Sequence, residues 1–325
     1  MSQVTTLPVS LASELEDEGD TPRWLVEGLW GDPAVGVLGG EPKCCKSFLA
    51  LGLAVSVASG RPCLGSFAVR RTGPVLVFPA EDSLGVVRRR LEGIAAAAGT
   101  SLDGLPVHVI TAPKLLLDSP DDRRRLTATV ERLKPVLLVL DPFIRLHRID
   151  ENAASEVAPL LGYLRELQRR HAVSVMLVHH ARKDSRGARP GQALRGSSDL
   201  HGWGDSNLYV RRTRSGLRLT IEHRAAPGRE NIPIELVDHP SGPALRLAGP
   251  ACASAEEEDK PDVAARIVTA LSMAPEAVSA RELRQRSSMR SSTLFAALPT
   301  LLEAGTVVRT AEGLYRAATA SASRP

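Results

Sequence analysis

The stretch GGEPKCCKSF, Gly39 to Phe48, lies between the apolar run AVGVL (34–38) and the small-residue run LALGLAVSVASG (49–60). A strand, a glycine turn and a helix are the setting that a phosphate-binding loop of pattern G-x-x-x-x-G-K-[ST] requires. Gly40, Lys46 and Ser47 satisfy the pattern, but its second glycine is replaced by Cys45, with Cys44 beside it. In such a loop, here Gly40, Glu41, Pro42, Lys43, Cys44, Cys45, Lys46, Ser47 and Phe48, backbone N–H groups cradle the β-phosphate of ATP. Lys46 reaches the β- and γ-phosphates and Ser47 ligates Mg2+. If the position of Cys45 needs a positive φ, a Cβ there costs about 1–2 kcal/mol against glycine, which several N–H···phosphate bonds offset. The cysteines otherwise read as small fillers, the usual role of a buried cysteine, with a redox-sensing thiol at Cys45 as the alternative.

The 325 residues suffice for one large core and a smaller domain. Hydrophobic residues at 43% and charged residues at 24% are those of a folded chain, and 3% aromatics argue against stacked base platforms. A net charge of +4 is mild, so any nucleic-acid role must rest on local basic clusters. Cys44, Cys45, Cys63 and Cys252 form neither a C-x-x-C pair nor a zinc spacing, which suits a reducing, cytoplasmic setting. The N-terminal twenty residues are polar and acidic, unlike a leader, and FLALGLAVSVASG is too short to span a bilayer, so no membrane association is expected.

From about residue 34, strand-like runs (AVGVLGG, GPVLVFPAED, LPVHVIT, KPVLLVLDP, VSVMLVHH) alternate with helical patterns, one of them capped by Ser119. This alternation predicts a mostly parallel sheet with crossover helices. After Gly196 come SNLYVRRT, GLRLTIEHR, NIPIELVD and ALRLAG without helices between them, which predicts an antiparallel extension with a hairpin turn at Arg214–Gly216. GPACASAEEEDKP is a linker by composition. Beyond it, Pro261 at a first helical position, a Ser279/Glu282 capping box, a third helix kinked at Pro299 and a short hairpin predict a separate unit. Three helices and a hairpin resemble a winged helix-turn-helix, with Arg290, Ser292 and Arg309 placed to contact DNA; the same shape also serves as a protein-docking module.

Asp141 ends the apolar run VLLVLD, where a carboxylate holds Mg2+ through water. Glu81 and Asp82 follow the second strand at the same edge; Glu81 is placed to activate water, and Asp82 or Ser83 to cap the next helix. His179 and His180 close VMLVHH without a third ligand at metal spacing, so zinc is not expected. The loop ARKDSRGARPGQALRGSS sets Arg182, Lys183, Arg186, Arg189 and Arg195 against one acid, Asp184, a composition suited to sequence-independent phosphate contacts.

WLVEGLW, GEPKCCKSFLALGLAVSVASG, VLVFPAED, VLLVLDP, VMLVHHARK and LRGSSDL together resemble the RecA-like P-loop ATPases, in particular the RepA-type helicase branch of AAA-family ATPases, over about residues 22–238. The resemblance implies an α/β RecA-like core, ATP and Mg2+ as ligands, and a DNA-acting homo-oligomeric ring, a hexamer. It also implies Glu81 as catalytic base, Asp141 as the Walker-B acid, and His179 or His180 as the γ-phosphate sensor. Arg224 would be supplied to the neighbouring subunit's triphosphate, and the loop 182–195 would face single-stranded DNA in the channel. In the K-x-R pair of that family the lysine is replaced here by Glu222. The expected organisation is a loosely ordered segment 1–21, an ATPase domain 22–249, a linker 250–260, a winged helix-turn-helix domain 261–318 and a tail 319–325. A DNA-binding regulator that uses ATP binding as an assembly switch, with little turnover, is the alternative, favoured by Cys45 and Glu222.

Overall fold

The computed structural model describes residues 9–14, 23–180, 199–249, 263–287, 289 and 291–318, with residues 263, 265 and 291–293 described by their backbone alone. Arg182, Lys183, Arg186, Arg189, Arg195 and Arg290 lie outside the described residues, as does the side chain of Ser292. The chain forms two compact units, 1–248 and 249–325.

In the first unit a short hairpin, β1 (Trp24–Val26) and β2 (Trp30–Gly31), precedes the main sheet. The sheet's strands are β3 (Val35–Gly40), β4 (Val75–Pro79), β5 (Val107–Val109), β6 (Leu137–Asp141), β7 (Ser174–His180), β8 (Ser206–Thr213), β9 (Gly216–His223), β10 (Arg229–Val237) and β11 (Ala244–Leu247). Their order is β11-β10-β9-β8-β3-β7-β6-β4-β5, parallel from β8 to β5 and antiparallel from β8 to β11. The helices are α1 (Lys46–Ser59), α2 (Leu84–Ala97), α3 (Pro120–Leu133), α4 (Ala154–His171) and the short α5 (Asp199–Trp203). The mostly parallel sheet and its antiparallel extension are those the sequence predicts. Two elements carry no clear pattern in the sequence: the β1–β2 hairpin and α5, both too short for periodicity to register.

Strands with helices on both faces are apolar throughout, because each side chain meets one helical layer or the other. Leu38, Val77, Val139, Met176 and Val178 pack into the core that includes α1 and α2. Val37, Phe78, Leu140, Val175 and Leu177 pack into the opposite core with α3 and α4. Helix α1 is buried almost all round, as its small apolar residues predict. Ser119 caps α3, its hydroxyl accepting from the Asp122 N–H at 3.4 Å.

The second unit has α6 (Val263–Ser272), α7 (Ala280–Ser287), α8 (Ser291–Glu303) and the hairpin β12 (Val307–Arg309) with β13 (Tyr315–Ala317). Ile267, Leu271, Leu283, Leu294, Leu298 and Val307 form its core. Ser279 accepts from the Glu282 N–H at 3.2 Å, the first half of a capping box. Helix α8 runs through Pro299 to Glu303 as one element and stops just before Gly305.

Strand β3 passes so close to β8 that a Cβ on Gly36 would lie 1.6 Å from the Ser206 carbonyl oxygen. Gly36→Ala is therefore expected to cost about 3 kcal/mol, the upper end of ordinary overpacking. Gly52→Ala on α1, where a Cβ meets nothing within 4 Å, should be neutral or stabilising by up to about 1 kcal/mol. Urea midpoints of the two variants check this; equal midpoints would contradict the close approach of β3 and β8.

Candidate nucleotide-binding site

The sheet's register gathers the site. Gly40 at the end of β3 stands opposite His180 at the end of β7, and Pro79 at the end of β4 stands opposite Asp141 at the end of β6. Four adjacent parallel strands thus deliver their C-terminal residues to one edge, where ligands of open α/β sheets bind. A cleft of about 450 Å³ opens there, lined by residues 42–48 together with Pro79, Glu81, Asp82, Arg90, Asp141, Pro142 and His180.

Cys45 has φ 66° and ψ 24°, a left-handed conformation directly before the first residue of α1, and its carbonyl accepts the Leu49 N–H at 3.1 Å. The cysteine therefore takes the backbone shape that glycine supplies freely, at a cost of about 1–2 kcal/mol. Lys43 is also left-handed, with φ 64°. Cys44 is buried, and a Cβ on Gly40 would meet its Sγ at 2.8 Å and the Val210 carbonyl oxygen at 2.2 Å. Gly40 is required by this close approach, and Cys44 fills the space above it. Burial pushes both thiols up, with Lys46 offsetting part of the rise at Cys44 and Arg212 at Cys45. A redox sensor needs a thiol lowered toward neutrality, so the filler reading of the pair is the one the site favours.

Lys46 is buried, and its Nζ donates to the carbonyls of Gly40 at 2.9 Å and Glu41 at 2.7 Å. Burial lowers its pKa, opposed by Cys44 and Asp141. The Asp141 carboxyl is pushed up to about 6, chiefly by burial and in part by Asp82 and Glu81; a hydrogen bond from Ser47 and the charge of Lys46 pull it down. The hydroxyl expected to ligate Mg2+ and the carboxylate expected to stand behind it are thus already in contact.

The neighbouring acids have partners that the sequence did not disclose. Glu81 accepts from Arg145 Nε at 2.8 Å. Asp82 is paired with Arg90, whose guanidinium also lies 5.1 Å from the centroid of the Phe48 ring. Ser83 occupies the N-cap of α2 without a side-chain bond, so neither Asp82 nor Ser83 caps through its side chain. Arg212 donates to the Lys43 carbonyl at 3.3 Å. Nothing in VRRRLEG marks Arg90 rather than Arg88, which pairs with Glu92 on the outer face; packing against Phe48 makes that choice.

Alternation along β7 separates the two histidines. His180 shares the parity of Met176 and Val178 and lines the cleft. His179 shares the parity of Val175 and Leu177, is 1% exposed, and lies behind the site, 5.9 Å from the Phe143 ring and 4.0 Å from the Glu151 carboxylate. The structure thus brings His180, and not His179, to Lys46, Ser47, Glu81 and Asp141. Arg224 is not brought there either. β9 runs antiparallel to β8, so Arg224 emerges at the opposite edge of the sheet, donating to the Gly202 carbonyl and lying 3.7 Å from Asp205. Glu222 accepts from His201, or donates to it when protonated, at 2.9 Å.

The residues present fit ATP and Mg2+. The helix start presents N–H groups toward the cleft, Lys46 already engages backbone oxygens through its ammonium, and Ser47 and Asp141 offer the few oxygen ligands that Mg2+ takes from protein beside water and phosphate.

A family profile described as an AAA domain matches residues 2–186, over half of the chain. The chain belongs to the AAA domain family. Among solved structures it is similar to the ATPase domain of G40P, at 14% identity and a TM-score of 0.52, over 66% of this chain and 85% of that one. It is also similar to the RadB recombinase, at 16% identity and a TM-score of 0.47, over 67% of this chain and 92% of that one. The first likeness is one of fold, an α/β core of RecA-like form built on a large, mostly parallel sheet.

Comparing Cys45→Gly with Cys45→Ala isolates the backbone term, since both lose the thiol. The glycine variant is expected to be the more stable by about 1 kcal/mol, read from chemical denaturation; equal stability would contradict the left-handed turn. With Cys63 fully buried and its thiol pushed up to about 12, and Cys45 raised by burial, alkylation at pH 8 should be slower at Cys45 than at a free thiol and absent at Cys63. Fast labelling of Cys45 would contradict a thiol raised by its partly buried surroundings.

Proposed function

We propose that this AAA domain protein is a Mg2+-dependent ATPase that works on DNA as a hexameric ring in the cytoplasm, in the manner of a RepA-type replicative helicase of a plasmid or mobile element. The observation that carries the ATPase reading is the meeting of Lys46, Ser47, Asp141, Glu81 and His180 at the ends of four adjacent parallel strands. The N–H groups of the loop hold the β-phosphate, and Lys46 exchanges its bonds to the Gly40 and Glu41 carbonyls for phosphate oxygens. Ser47 and Asp141 hold Mg2+, Asp141 through water. When bound, Mg2+ neutralises the charge that develops on the transferred phosphoryl group. Glu81 takes the proton of the attacking water, and His180 senses the γ-phosphate. Arg224, remote from its own chain's loop, acts on the nucleotide of the next subunit.

DNA contact in this reading comes from the basic stretch 182–195 and from a winged helix-turn-helix at 261–318. Three helices, a two-stranded hairpin and a bridge between Val278 and Tyr315 support the second assignment. The described solvent face of α8 carries Phe295, Ala296, Pro299, Thr300 and the acidic Glu303 and offers no basic residue, so DNA contacts fall to Arg290 and Ser292 at its start and to Arg309 and Arg316 on the hairpin. No helix among the described residues is long and apolar enough to cross a membrane. The second reading, a DNA-binding regulator that uses ATP binding as an assembly switch, is favoured by the strained Cys45 and by Glu222, which is engaged with His201.

Steady-state hydrolysis of Mg-ATP, with and without single-stranded DNA, separates the two. The motor reading expects turnover that DNA stimulates and that Lys46→Ala lowers at least about 100-fold. ATP-dependent oligomerisation without turnover would select the switch. If Arg224 acts across subunits, Arg224→Ala should lower turnover of the assembled protein about 10³-fold, the lower end of the arginine-finger range, and a mixture with a Lys46→Ala chain should recover part of it. Full activity of Arg224→Ala would refute that role. Deleting residues 261–325 should weaken duplex binding, and unchanged binding would refute the winged-helix assignment.

A further inference from the structure

We propose that Arg145 is a positioning residue that restrains Glu81. The proposal rests on the reading of Glu81 as the base. Arg145 Nε donates to Glu81 Oε1 at 2.8 Å across 64 positions of sequence, and Arg145 stands outside the residues that line the cleft, whereas Glu81 is among them. The bond holds one oxygen of the carboxylate toward a guanidinium at the rim and so biases the group's orientation away from a water inside, although a carboxylate has a second oxygen that can accept.

The placement of Arg145 is fixed from beneath. It ends a single 3-10 turn, Phe143–Arg145, that begins two residues after Asp141. Phe143 and Leu146 are both fully buried, and the Leu146 carbonyl accepts the Leu117 N–H at 2.6 Å. The Phe143 ring packs on His147, with centroids 4.5 Å apart, and on His179 at 5.9 Å. His179 immediately precedes His180, which lines the cleft. The turn carrying Arg145 is therefore seated on the end of β7, and a displacement of that strand end moves the guanidinium relative to Glu81.

The contrast with Asp82 shows why this pair suits a restraint. Arg90, the partner of Asp82, lies on the helix that follows it, so that pair is local and closes the turn between β4 and α2. Arg145 comes from the turn after β6 and reaches across to the turn after β4, the neighbouring strand, so this pair links two separate chain segments. Both members of the pair are well exposed, 62% for Arg145 and 44% for Glu81. Such a contact is weak and readily released; it holds down the population of free carboxylate about 1.5- to 5-fold.

The test is steady-state ATP hydrolysis by the full chain with Mg2+, in the absence and presence of an unstructured oligonucleotide. The variants are Arg145→Ala, Arg145→Gln, Arg145→Lys and Glu81→Gln. Arg145→Ala and Arg145→Gln are expected to raise kcat without DNA about 1.5- to 5-fold with KM unchanged, and to lower the stimulation ratio by the same factor. Arg145→Lys should retain most of the restraint, which a merely structural role would not produce. The double variant Arg145→Ala with Glu81→Gln should be as inactive as Glu81→Gln alone. If Glu81→Gln is inactive while neither Arg145→Ala nor Arg145→Gln raises kcat, the restraint is overturned and the base reading stands. If Glu81→Gln hydrolyses ATP at the parental rate, the base reading fails and the restraint fails with it.

Discussion

Strand β3 sits between β7 and β8, and the rest of the molecule depends on that placement. Gly36 lets β8 approach to a distance no side chain would permit, and Gly40 does the same at the strand's end, beneath Cys44. With β3 held there, its last residue is opposite His180, and the chain must turn at once into α1. The turn needs a left-handed residue before Lys46, and it is this backbone demand, rather than any chemistry of the thiol, that Cys45 answers. The strain is a small charge against the two cores that clamp the sheet.

Around that loop the electrostatics are mutually supporting. Asp141 is buried enough for its carboxyl to rise to about 6, and Ser47 and Lys46 are the groups that oppose the rise. Lys46 is buried as well, with its ammonium placed on backbone oxygens. Each of these groups is costly to bury alone, and each is held by another of the set. Glu81 and Asp82, neighbours in sequence, are held by different arginines, Arg145 from the turn after β6 and Arg90 from α2.

Much of this was legible in the sequence because it is written in local pattern. Continuous apolar runs gave β3, β4, β6 and β7, their closing residues gave Gly40, Asp141 and the histidine pair, and Ser119 gave a cap. Parity along β7 separates His180 from His179, but only once the strand's two faces are known to meet different helices. Arg90, Arg145 and Arg212 were not legible, since each is one arginine among several and is selected by a partner distant in sequence or by an aromatic ring. Arg224 was legible as a motif residue, while its position at the far edge follows from the antiparallel turn at Arg214–Ser215, which reverses the chain.

The proposed function depends on a loop with cysteine in place of glycine holding a triphosphate by its backbone. A crystal structure with Mg2+ and a non-hydrolysable ATP analogue tests it most directly. A β-phosphate oxygen is expected within about 3 Å of the amides of Cys45, Lys46 and Ser47, with Lys46 Nζ moved from the Gly40 and Glu41 carbonyls onto phosphate. A nucleotide bound away from this loop, or Lys46 still donating to both carbonyls with nucleotide in place, would contradict it.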